Sequence, residues 1–129
     1  MMLNQLCKDA HENAKAKGWW ETEKSFGELI ALCHSELSEA LEEYRDGNKV
    51  DAIQTVCNLG RNINANWCYV PTCNKCEHYK PEGIPIELAD TLIRIFDMCG
   101  HYGIDLDEAV RIKMEYNKTR SHRHGGKVL

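Results

Sequence analysis

Residues 25–47, SFGELIALCHSELSEALEEYRDG, decide the fold class. Ser25 and Glu28 stand three apart just ahead of an apolar run, the pattern of a capping box in which side chains satisfy the first free backbone N–H groups. Beyond them Ile30, Cys33, Leu37, Ala40, Leu41 and Tyr44 recur at helical spacing, which predicts one apolar stripe. Asp46-Gly47 supplies the stop. The stretch therefore reads as a long amphipathic helix to about Arg45.

Its neighbours follow the same logic. A first helix is expected from about Leu3 to Lys17, ended by Gly18, and a third from about Ile86 to Tyr102, with Pro85 near its first turn and Gly103 at its end. A fourth begins at Asp105, where Asp105 and Glu108 repeat the capping arrangement, and fades near Arg120 before Gly125-Gly126. Proline occurs only at positions 71, 81 and 85, so punctuation is confined to the middle of the chain. There, residues 48–85 are less regular, although Ile53, Val56, Leu59, Gly60 and Ile63 suit a short helix. Strand signals are weak throughout. The expected fold is all-α, a four-helix-bundle-like single domain over residues 1–129, with a Cys-rich insertion at 48–85 and a basic tail at 121–129.

At 129 residues, 43% apolar and 28% charged, the chain has the composition of a globular domain with one core. No apolar run approaches the ~20 residues of a membrane helix, and MMLNQLCKDAHENAKAKG lacks the apolar stretch and cleavage site of a signal peptide. A cytoplasmic protein without a membrane partner is expected. The net charge of −4 argues against a nucleic-acid partner, but it conceals a division. Residues 111–127 carry six Lys/Arg against one acid, so the remainder is strongly acidic. Such a body suits a cation and such a tail an anion, although a solvated, frayed C-terminus has the same charge.

The acids are organised. Glu36-x-x-Glu39 lies on the second helix and Glu87-x-x-Asp90 on the third, and residues three apart share a helix face. Four carboxylates converge if the two helices pack side by side, and only a cation relieves their repulsion. An all-oxygen donor set selects a hard divalent ion, Mg²⁺ with Mn²⁺ as substitute. Angular arithmetic places Glu36, Glu39 and Glu43 beside the apolar stripe, and Glu87, Asp90, Arg94, Asp97 and His101 within roughly 80° of one another. Acids mixed with Arg and His suit a metal–phosphate site in which Arg takes charge the metal leaves. Either pair alone is equally compatible with a solvated face.

These two motifs, in LIALCHSELSEALEEYR and GIPIELADTLIRIFDMCGHYGIDLDEAVRIKMEYNKTR, resemble the metal-binding signature of the MazG-like all-α nucleoside triphosphate pyrophosphohydrolases. Lys113, Asn117 and Arg120 resemble the family's basic element on the following helix. The resemblance covers residues 25–47 and 83–127 well and the N-terminal helix loosely. It implies a MazG-type helical bundle whose dimers or tetramers complete the site, and Mg²⁺-dependent cleavage of nucleoside triphosphates, dNTPs or non-canonical NTPs, between the α and β phosphates. The products are a nucleoside monophosphate and pyrophosphate. Metal coordination, and hence catalysis, falls to Glu36, Glu39, Glu87 and Asp90, with one Glu as general base toward water. Two departures stand out: 47 residues separate Glu39 from Glu87, where the family has a short connection, and Ser35 stands where many members carry another acid.

A triphosphate's charge must be neutralised before water can attack in line. Lys113, Arg120, Arg123 and Lys127 suit its distal phosphates, Arg94 is a further candidate, and Gly125-Gly126 would let the tail fold over the substrate. For the base, His11 offers a polar edge and Trp19-Trp20 a stacking face. A core or oligomer-interface role for both Trp residues is the competing reading.

Seven cysteines, an odd number, point to thiols or metal ligands rather than a disulfide framework. Cys68, Cys73, Cys76 and His78 match the ligand set of a closed structural zinc site, with Cys57 as an alternative ligand and four unligated side chains as the competing reading. Cys7, Cys33 and Cys99 fall on apolar faces as core residues. Two further functional readings remain open: a phosphoribosyl-nucleotide pyrophosphohydrolase, and a non-catalytic helical binding module organised by zinc.

Overall fold

The computed structural model describes residues 2–56 and 80–128, and it is mostly helical. In chain order the elements are α1 (Leu3–Ala16), α2 (Phe26–Arg45), β1 (Gln54–Val56), β2 (Lys80–Glu82), α3 (Ile84–Tyr102), α4 (Leu106–Thr119) and α5 (Arg123–Gly126). They divide into two compact units, one of Met1–Glu23 with Ile95–Leu129 and one of Lys24–Arg94.

The second unit is built on α2. Its start is the expected capping box: the Ser25 hydroxyl accepts from the Glu28 N–H, and the Ser25 N–H donates to the Glu28 carboxylate. After α2 the backbone turns at Gly47, whose φ of +89° favours glycine. β1 and β2 then pair antiparallel, with Gln54 opposite Glu82 and Val56 opposite Lys80. This corrects two expectations. A short ladder exists where strand signals were weak, and the helix anticipated from Ile53 fails at its start, because Gln54–Val56 is extended. Two β-branched residues, Thr55 and Val56, favour that conformation. Gly83 follows with φ +122°, and a Cβ there would collide with the Ala52 carbonyl oxygen. α3 begins directly afterwards, two residues earlier than expected, with Pro85 tolerated in a first turn where its missing N–H costs nothing. Cys57, Cys68, Cys73, Cys76 and His78, the zinc candidates, lie outside the described residues.

The buried arc of α2 also differs from the expected stripe. Cys33, Glu36 and Ala40 are buried, an arc of about 60° on a helical wheel. Leu37, Leu41 and Tyr44, on the adjoining arc, are 47%, 57% and 61% exposed. Burial has shifted toward the acids and away from the larger apolar side chains.

The first unit holds α1, the C-terminal turns of α3, α4 and α5. Cys7, Phe96 and Cys99 form its core, with Leu3, Ala10, Ile95 and Leu106 packed around them. α1 and α4 cap each other. The Asp107 carboxylate accepts from the Leu3 and Asn4 N–H groups at 3.1 and 3.2 Å, while the Asn4 Oδ1 accepts from the Leu106 and Asp107 N–H groups at 2.9 and 3.1 Å. Asp105 caps α4 by accepting from the Glu108 N–H, but Glu108 itself pairs with Arg111 at 2.6 Å.

Gly100 lets α1 and α3 approach closely. A Cβ there would stand 2.6 Å from the Cys7 carbonyl oxygen and 2.7 Å from the His11 Cβ. Gly100→Ala gains helix propensity of about 1 kcal/mol yet forces the α1 and α3 backbones away from each other. A net loss of about 1–3 kcal/mol is expected in urea unfolding; an unchanged or raised midpoint would contradict the close approach.

Candidate metal centre

Helical spacing turns each i,i+3 pair toward one side of its helix, and in the second unit those sides meet. Glu36, Glu39 and Glu87 each place an oxygen such that all three lie within 4.8 Å of one another. Glu36 is buried, Glu39 exposed and Glu87 half-buried, so the group grades from protein interior to solvent. Asp90 stands outside this triad but within its field.

Crowding of like charge shows in the acidities. Burial pushes the Glu87 carboxyl up first, and the hydrogen bond with Glu39 and the charges of Glu39, Asp90 and Glu36 raise it further, to about 7. Asp90 is likewise raised, by burial first and then by Glu36, with Arg94 acting in the opposite sense. Arg94 supplies the compensating charge: its Nε donates to the Glu36 Oε1 at 2.5 Å. Glu43, also expected beside the stripe, instead accepts from the Asn48 side-chain amide.

A set of carboxylate oxygens open to solvent at one side fits a hard divalent cation that keeps part of its water shell. Glu36, Glu39 and Glu87 would hold it, with Asp90 beside them. The chemistry such an ion supplies is charge neutralisation of phosphate and a lowered pKa for bound water.

Asp97 and His101, expected on the same arc of α3, belong to a second cluster in the other unit. The Asp97 carboxylate bonds His11 Nδ1 at 2.8 Å and accepts from Trp20 Nε1 at 2.9 Å. The Trp20 indole stacks on the His101 ring, with centroids 3.9 Å apart and planes 14° apart. His11 meets both rings edge-on. His11 and Trp20 are thus brought together, and Asp97 and His101, absent from the expected base-contact set, join them. Their place on the arc was the available signal, but a pairing across 86 positions leaves no local trace. Trp19 is 60% exposed.

The basic candidates are all surface residues. Lys113, Asn117, Arg123 and Lys127 are exposed and Arg120 is half-buried. Lys113 and Arg120 both lie over the Tyr116 ring, at 5.0 and 5.5 Å from its centroid. The tail bends through positive φ at Arg123, His124, Gly125 and Gly126.

The raised Glu87 acidity fixes the sign of a pH effect. The folded protein retains a proton that the unfolded chain releases near the ordinary value of 4.5, so this stabilisation is complete below that value and is lost as pH rises through about 7. In chelator the melting temperature should fall across that window, and Mg²⁺ should restore more of it at the higher pH. Glu87→Gln should flatten the chelator profile. Melts whose pH dependence is the same in Glu87→Gln as in the parent would refute the assignment.

Among the described residues no helix is long and apolar enough to cross a membrane. Comparison of the chain with protein-family models, with curated proteins and with solved structures finds no match.

Proposed function

We propose that the protein is a Mg²⁺-dependent nucleotide pyrophosphohydrolase, converting a nucleoside triphosphate to a nucleoside monophosphate and pyrophosphate. The observation that carries this reading is the triad of Glu36, Glu39 and Glu87 oxygens within 4.8 Å, drawn from two helices with i,i+3 acid pairs. Resemblance of both motifs to the MazG-like signature supplies the reaction class.

In this reading Glu36, Glu39, Glu87 and Asp90 hold Mg²⁺ and orient the triphosphate for in-line attack. Water's oxygen bonds to phosphorus, the α–β anhydride bond breaks, and a carboxylate accepts the proton that water releases. One Glu of the set serves as that base in this reading. The uncovered apolar arc of Leu37, Leu41 and Tyr44 supports a homodimer or homotetramer as the active form. The sequence alone assigns nucleotide contacts to His11, Trp19, Trp20, Lys113, Asn117, Arg120, Arg123 and Lys127, and on that assignment their replacement should raise KM without altering Mg²⁺ binding.

A panel of dNTPs and NTPs assayed for pyrophosphate release tests the proposal. Release should require Mg²⁺ or Mn²⁺, and Glu39→Gln and Asp90→Asn should each lower kcat by about 100-fold or more with the fold retained. Full activity in either variant removes that residue from the site, and no turnover across the panel removes the enzyme.

A further inference from the structure

Three carboxylates and a neighbouring fourth demand positive charge whether or not a metal is present. In the structure that demand is met partly by Arg94. The contact is specific: Nε of the guanidinium meets Oε1 of Glu36 at 2.5 Å, and Glu36 is the most buried member of the triad. The side chain of Glu36 is 11% exposed and that of Arg94 is 34% exposed, so the acid is fixed in the interior while the arginine reaches toward solvent. Arg94 lies one turn beyond Asp90 and two beyond Glu87 on α3, so its stem is anchored on the helix that carries those two acids. Using Nε for this bond leaves the two terminal nitrogens of the guanidinium with four further N–H donors.

From this geometry we propose that Arg94 is a resident counter-ion that the divalent metal displaces from Glu36, and that the released guanidinium then binds substrate phosphate. The inference rests on the metal-site reading above and adds to it an order of events. An incoming ion and Arg94 compete for the same carboxylate, since a carboxylate that donates to a metal at short range loses much of its capacity for a charged hydrogen bond. Metal alone therefore binds against the Arg94–Glu36 pair. A phosphate anion arriving with the metal gives the guanidinium a new partner, with which it makes bidentate bonds. Metal and phosphate thereby assist one another's binding, a coupling typically worth about 5–150-fold. The free site also avoids leaving a buried acid uncompensated, which is costly when one partner of such a pair is removed.

Mn²⁺ binding followed by electron paramagnetic resonance, with pyrophosphate as the phosphate probe, tests the competition. Arg94→Gln removes the resident charge, so it should bind Mn²⁺ at least about 5-fold tighter than the parent, and its metal-loaded form should bind pyrophosphate at least about 5-fold more weakly. Mn²⁺ binding equal to or weaker than the parent's overturns the proposal. A second measurement is read in the parent protein, with the milder Arg94→Lys used only for assignment. In the parent protein the nitrogen–proton NMR correlation of the Arg94 Nε–H, identified by its loss in Arg94→Lys, should move toward the position of an unbonded arginine as Mg²⁺ saturates. A signal unmoved at saturation overturns the proposal while leaving the metal site intact. A parent protein that binds no Mn²⁺ overturns both.

Discussion

Carboxylates drawn together from two helices govern this molecule. The backbones of Glu36 and Glu39 are held by the hydrogen bonds of α2, and those of Glu87 and Asp90 by α3, so the repulsion among these acids has little outlet through backbone relaxation. The chain answers with a Glu87 carboxyl pushed up to about 7, which favours its protonated form, and with a guanidinium on Glu36. Proton and guanidinium are each a single positive charge and neither matches a divalent ion. In the proposed reading, a site held by substitutes of this kind would be organised for its cation before the cation arrives, the arrangement that lets binding energy go into chemistry rather than into assembly.

α3 repeats the theme in a different chemical form. Its first half carries the acids of the triad and Arg94; its second half carries Asp97, whose charge is satisfied by two N–H donors, from His11 and Trp20. Asp97 also sets the imidazole: a bond to Nδ1 leaves Nε2 as the nitrogen for any further partner. The stacked Trp20–His101 pair presents flat, polarisable surface beside that edge. Gly100, between Asp97 and His101 in sequence, permits the close contact with α1 on which this second cluster depends.

What the sequence disclosed is what lies within one helical turn. The Ser25–Glu28 capping box, the Asp105 cap, the stops at Gly18 and Gly47 and the two acid pairs are all i,i+3 relations or turn signals, and all were legible. Relations across the chain were not. Asn4 and Asp107 cap each other's helices over more than a hundred positions, and neither residue carries a pattern that announces the other. Glu36 illustrates the same limit within the site. The wheel placed it at the edge of an apolar stripe, whereas packing buries it and exposes Leu37 and Leu41, because its pairing with Arg94 is a tertiary fact. The pairing of Gln54–Val56 with Lys80–Glu82 is tertiary too, joining segments on either side of residues 57–79.

The burial pattern connects stability to the proposed function. Among the described residues no large side chain is fully buried, and α4 has no buried residue at all, with Ile112, Met114 and Tyr116 each more than half exposed. A chain of this size ordinarily derives its margin from a continuous apolar core. Here a good share of the apolar surface is uncovered on α2 and α4, and the best-enclosed stretch of α2 includes an acid. A divalent ion on the triad would replace repulsion with attraction at that enclosed point, and a second copy against the Leu37–Leu41–Tyr44 arc would remove apolar surface from water beside it. Both would act by binding the folded form, so each would raise stability through mass action. In the proposed reading the ion and the partner copy thus serve the stability of the fold as well as the reaction, and the isolated, metal-free chain would be the least stable form of the protein.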